Sequence, residues 1–190
     1  MTDKKKIIAF PDKFEIKLSG IDTMRLHNHG QGIFIHFKVL EDLKFYKNSF
    51  LINKLLEKGS LDFQITDFMF NKAKGFHGPF KSSLLKNDDY LKISEKIFFQ
   101  TLLEILDKNR INTPNIGQKR KKTFVEKVEL ISHAKTNYYF LKKELSVEPK
   151  KFEHEWSHAL TEYYEFLLIN NSGNNIFSLL LTYDLSLIHI

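Results

Sequence analysis

Apolar residues recur at seven-residue intervals through the second half of the chain, and that spacing restricts the available folds more than any other feature. Between residues 118 and 145, Phe124, Ile131, Tyr138 and Leu145 repeat every seventh position, with Val128, Ala134 and Leu141 filling the same seam. An α-helix turns once in about 3.6 residues, so the pattern predicts a bundle helix that buries one side. A second helix is predicted from Tyr90 to about Asn109, capped by Asp88 or Asp89. Its residues Leu91, Phe98, Phe99, Leu102, Leu103, Ile105 and Leu106 cover so wide an arc that it should lie centrally. A third is predicted from Pro149 to about Asn170, where the run Asn171-Ser172-Gly173-Asn174-Asn175 stops it, leaving Ile176 to Tyr183 as an apolar element of either type.

The first half is less regular. Phe14, Ile16 and Leu18 alternate with Glu15 and Lys17 behind a Pro11-Asp12 turn, so residues 7–18 read as strand. Residues 33–46 carry Ile33, Phe34, Phe37, Leu40 and Leu43 at helical spacing, Phe50 to Glu57 reads as helix, and Leu61-Phe63-Ile65 fits either state. The expected fold is therefore mainly α, a helical bundle to which the N-terminus adds at most a small β-hairpin.

Composition narrows the function classes. The 190 residues include no cysteine, which excludes disulfides, thiolate catalysis and cysteine-ligated zinc. Only Ile7 to Phe10 is apolar near the start, short of the roughly 7–15 residues of a secretory core, and no run reaches the roughly 18 of a membrane helix; the expected location is the cytoplasm, away from membranes. The final residues 185–190 resemble the translation of a sequencing adapter, so residues 1–184 are read as one domain whose frame continues past Asp184.

The formal charge of +6 divides unevenly, with +11 over residues 1–151 and −5 from Phe152 onward. Only three of the 29 basic residues are arginines (Arg25, Arg110 and Arg120), a lysine excess of the kind AT-rich coding produces without selection for phosphate recognition. The densest basic stretch, residues 119–151, offers Lys119, Arg120, Lys121, Lys122, Lys127, Lys135, Lys142 and Lys143 as an anion or nucleic-acid contact. The same stretch is equally read as packing against, and partly neutralising, the acidic final helix.

One motif carries chemistry. His154-Glu155-Trp156-Ser157-His158 is an H-E-x-x-H, which on a helix places two imidazoles on one face with a glutamate between them. The segment resembles zincin metalloproteases, and the resemblance implies zinc held by His154 and His158 with Glu155 as general base. It departs where metzincins place glycine and a third histidine, positions held here by Thr161 and Tyr164, and no later glutamate stands at gluzincin spacing. Helical stepping also puts His154, His158, Glu162 and Glu165 on the polar side of the segment. Other signatures fail: Glu129-x-x-x-His133 has the wrong spacing for a di-iron bundle, and His27-Asn28-His29 is read as a turn beside Gly30 and Gly32. The first reading is thus a binding or accessory protein with no cofactor, contacting a protein or nucleic acid through its Lys-rich helix. A zinc-dependent hydrolase is the alternative, and a structural or oligomeric subunit the second.

Overall fold

The computed structural model describes residues 14–27, 29–65, 70–110, 116–132, 135–143, 145, 153–154 and 160–183. Among them are ten strands and three α-helices, in the order β1 (Ile16–His27), β2 (Gly30–Val39), α1 (Asn48–Glu57), β3 (Phe63–Ile65), β4 (Phe70–Lys72), β5 (Phe76–His77), β6 (Phe80–Lys81), β7 (Tyr90–Ile93), α2 (Glu95–Asp107), α3 (Gln118–Ile131), β8 (Thr136–Leu141), β9 (Glu162–Asn170) and β10 (Asn175–Tyr183). The chain is mainly β, and the expected helical bundle is wrong. Six strands form an antiparallel sheet in the order β1-β2-β10-β9-β8-β7, and four short ones form a second sheet, β4-β3-β5-β6.

Each misreading has a physical cause. The seven-residue series crosses two elements: Phe124 and Ile131 belong to α3, whereas Tyr138 belongs to β8, beyond a turn in which Lys135 has φ +70°. Along β8 the side chains of Tyr138 and Tyr139 enter opposite apolar clusters, the period-two behaviour of a strand. The predicted third helix is, over 162–170, strand β9, whose run Glu-Tyr-Tyr-Glu-Phe-Leu-Leu-Ile-Asn is covered on both faces and so lacks alternation. Its stop signal is the hairpin turn into β10, where the Asn170 side chain accepts hydrogen bonds from the Ser172 and Gly173 amides. Residues 33–39 lie in β2 rather than a helix, and 90–93 form β7, so α2 starts only after Ser94, whose hydroxyl caps the Ile97 amide. Helix α1 matches its expectation, and Phe63–Ile65 resolves as strand. The Pro11-Asp12 turn lies outside the described residues.

Both faces of the six-stranded sheet are covered, giving three layers. On one face α2 and α3 bring Phe98, Leu102, Phe124 and Val128 onto Phe34, Phe166, Leu168, Leu179 and Leu181. Helix α2 is therefore an outer layer, not the centre, and its Ile97 is 49% exposed. On the other face α1 and the small sheet place Leu51, Leu55, Phe63 and Phe80 against Ile33, Ile35, Leu167, Ile169 and Leu180. Close approach of α3 depends on Gly32 in β2, where an added Cβ would lie 2.2 Å from a ring carbon of Phe124. We expect Gly32→Val to lower stability by about 1–3 kcal/mol through overpacking, read from the urea midpoint.

One polar cluster interrupts the second core. Glu165 of β9 is fully buried, and its carboxylate meets His77 Nε2 of β5 at 2.5 Å. It also accepts hydrogen bonds from Tyr163 (2.9 Å), Tyr90 of β7 (3.1 Å) and Ser178 of β10 (3.2 Å). Burial alone would raise the Glu165 pKa, but His77 opposite it and the His77, Tyr163 and Tyr90 hydrogen bonds outweigh that cost and hold it below the usual glutamate range. Burial and the Glu165 charge push the Tyr90 and Tyr163 phenols well up, so both stay neutral donors.

Because the folded carboxyl is the stronger acid, its contribution is complete above the ordinary value of 4.5 and is lost as pH falls through the lower folded pKa. Glu165→Ala strips the acceptor from several buried donors, and we expect it to cost about 3–5 kcal/mol in urea unfolding. Glu165→Gln should abolish the corresponding acid limb in a plot of Tm against pH.

Candidate functional site

The β1–β2 hairpin, the start of β9 and the end of β10 meet at one end of the large sheet, since His27 pairs with Gly30, Gly30 with Tyr183, and Tyr183 with Glu162. The segment after α2 and the first turn of α3 reach the same end. There Arg110 bonds the Ile105 and Lys108 carbonyls, and Arg120 donates to the Leu26 carbonyl at 3.0 Å. Arg25 Nε donates to the His27 carbonyl at 3.3 Å. All three arginines of the chain thus gather on this one edge.

Arg110 is its electrostatic centre. Its guanidinium lies 3.5 Å from the Tyr183 ring centroid, and Nη2 donates to Glu162 Oε2 at 2.8 Å. The same carboxylate accepts from Tyr164 (2.9 Å) and pairs with Lys108 (3.2 Å). Burial would raise the Glu162 pKa, yet Arg110, Tyr164 and Lys108 reverse the effect and keep it ionised below the usual range. Lys108 is shifted up, because its hydrogen bonds to Tyr164 and Glu162 exceed the burial cost.

His27 is stacked on Tyr183 with ring centroids 5.0 Å apart. Its Nδ1 accepts the His29 amide hydrogen at 3.1 Å, which places the proton of the neutral ring on Nε2. His27 Nε2 and Arg110 Nε are both buried donors without a hydrogen-bond partner, and His29 Nδ1 is a third unpartnered buried nitrogen on this edge. Burial first, then the nearby Arg110, His29 and Arg120 charges against that of Glu162, pushes the His27 pKa down to about 4.

Helix α3 adds the exposed charge. It begins after Gly117, which provides no side-chain cap, and its first turn contains no acid. Lys119, Arg120, Lys121 and Lys122 occupy that end, where cations oppose the helix dipole. Lys121 is tied to Asp107 at 2.5 Å, and Lys122 is 78% exposed and only loosely paired, 3.8 Å from Glu126. The anticipated basic face does not continue along one helix. Lys127 is bonded to Asp22 of β1, Lys135 lies in the turn before β8, and Lys142 and Lys143 follow β8, where Lys143 pairs with Asp89 at 2.9 Å.

The expected neutralisation of the acidic C-terminal stretch by residues 119–151 is likewise not what the described contacts give: Glu162 is met by Lys108 and Arg110, and Glu165 by His77. His154 lies next to an isolated β-bridge between Glu153 and Phe80, its amide bonded to the Pro79 carbonyl and its ring centroid 3.8 Å from that of Phe76. Glu155 and His158 lie outside the described residues. Among the described residues no group of three or more His, Asp or Glu side chains is placed to hold a metal ion.

Sequence reasoning missed Arg25, His27, Lys108, Arg110, Glu162, Tyr164 and Tyr183 as a group. The available signal was arginine rarity: in a chain so rich in lysine, the three planar guanidinium groups stand out as multidentate donors.

Fold and site together define a three-layer, mainly antiparallel protein with a cationic sheet edge. Comparisons with protein-family models, curated proteins and solved structures gave no match. No helix among the described residues is long and apolar enough to cross a membrane.

The folded His27 pKa is depressed below its ordinary 6.5, so its unfavourable charging makes stability fall as pH drops from 6.5 toward 4, by up to about 1.4 kcal/mol per unit. Thermal unfolding of His27→Gln between those values should show a shallower slope than the parent protein.

Proposed function

We propose that the protein is a nucleic-acid-binding module whose contact surface is the hairpin end of the large sheet and the first turn of α3. The observation that carries this reading is the convergence of Arg25 from the first hairpin with Lys108, Arg110 and the Lys119–Lys122 run, more than 80 residues later, onto one edge. A helix that starts with consecutive cations and no acid opposes its own dipole, a local cost that bound phosphate relieves. Arg25 and Arg120 each donate to a hairpin carbonyl, which orients both guanidinium groups at this end of the sheet. Arg110, held under Tyr183 by Glu162, supports the edge from beneath. Such a surface reads backbone rather than base sequence, so affinity should track salt more than sequence.

Fluorescence anisotropy with labelled single-stranded RNA and duplex DNA over a salt series tests the proposal. We expect binding at low salt, with log K falling linearly against log salt. The Lys119→Glu, Lys122→Glu double variant should weaken binding at least about tenfold and reduce the slope by about 2. Absence of binding at low salt, or affinity insensitive to salt, overturns it.

A further inference from the structure

A second surface lies on the opposite face of the large sheet. Between the C-terminal end of α1, the small sheet and the segment 82–88 is a cleft of about 910 Å³, within the range of small-molecule sites. We propose that it binds a phosphorylated small molecule, with Lys74 and Lys86 meeting the phosphate and Ser82 and Ser83 donating to it. The ligand differs in class and location from the nucleic acid proposed for the hairpin end, and neither proposal requires the other.

The cleft is shaped by backbone rather than by chance gaps between side chains. Two of its turns contain glycines in the left-handed region, Gly59 at φ +57° and Gly75 at φ +90°. Asp62, buried between them, accepts the Gly75 amide hydrogen at 2.9 Å, and a Cβ on Gly59 would lie 2.8 Å from the Asp62 carboxylate. Leu56 and the buried Leu85 supply apolar lining for the body of a ligand.

The charges of the wall do not cancel one another. Of its three acids, Glu57 is paired at 2.6 Å with Lys54, which lies outside the wall, while Asp62 and Asp88 accept from the Gly75 amide and the Asn87 side chain (3.2 Å) and keep their charge, so four lysines stand against two carboxylates. Two of the four lysines are also committed, Lys58 to the Phe14 carbonyl and Lys72 to the Gly59 and Ser60 carbonyls, with Lys72 over the Phe63 ring. That leaves Lys74 and Lys86 without an acidic partner among the described residues, on a wall where cations outnumber acids. An apolar patch flanked by two unpaired ammonium groups and two hydroxyls suits a ligand with a phosphate at one end and a ring at the other.

Titration of the ¹⁵N-labelled full chain with inorganic diphosphate and with adenosine monophosphate, followed by amide chemical shifts, tests this. Both probes should move the Gly75, Ser82, Ser83 and Asn87 amides saturably, and adenosine should not. Lys74→Glu combined with Lys86→Glu should weaken the response at least tenfold, whereas the Lys119→Glu, Lys122→Glu protein should respond like the parent. Shifts confined to the hairpin end and α3, or none at about 10 mM of either phosphate, overturn the proposal. The mapping uses the unaltered protein, so it decides the matter even if the cleft variants fold poorly.

Discussion

A carboxylate sealed from water, that of Glu165, sets the condition the rest of the fold must satisfy. An ionised group in a low-dielectric interior is tolerated only when donors surround it. Here they come from four strands: His77 in β5, Tyr90 in β7, Tyr163 in β9 and Ser178 in β10. Meeting that demand docks the small sheet onto the large one. It also fixes register, since a one-residue slip of β9 would turn Glu165 toward α2 and α3, where no described group of the apolar cluster could replace His77. Apolar residues of similar volume often stabilise a core as well as a buried ion pair does, so the contribution specific to Glu165 is selection of one arrangement over its neighbours.

Strand β9 carries a second acid three positions earlier, on the opposite face. Glu162 is paired with Arg110 and Lys108 and accepts from Tyr164, whereas Glu165 is hydrogen-bonded by His77 and two tyrosines. The two carboxylates thus find their described partners outside the basic 119–151 stretch. One consequence reaches the surface. The cations at the start of α3 retain only Asp107 and Glu126 as close acidic partners among the described residues, and the edge stays electropositive.

Helix α1 was legible because it is short, local and amphipathic. Strands β9 and β10 were not, because burial on both faces erases the alternation that identifies a strand, and a continuous apolar run reads equally well as helix. The seven-residue series misled for another reason: Phe124 and Tyr138 do enter the same apolar cluster, but one arrives from a helix and the other from a strand. Periodicity registered the shared core and misassigned the backbone. Of the site, the lysines at the start of α3 were visible as a charge run. Arg110, Glu162 and Tyr183 were not, since 73 residues of sequence separate groups that long-range strand pairing brings together.

The charge itself takes on a different meaning once position replaces total. A coding bias toward lysine scatters ammonium groups over the surface, and several of those here do what scattered lysines do, pairing with Asp22, Asp42, Glu57, Asp89 or Asp107. Two features stand apart from that scatter, three arginines gathered at one edge and four lysines lining one cleft. These two departures lie on opposite faces of the sheet, separated by two apolar layers and the buried Glu165 cluster. Direct interaction between the two surfaces is therefore weak, and occupancy of one could alter the other only through an element with two arrangements. Strand β9 is pinned on each face by a different carboxylate, and the two surfaces should bind additively.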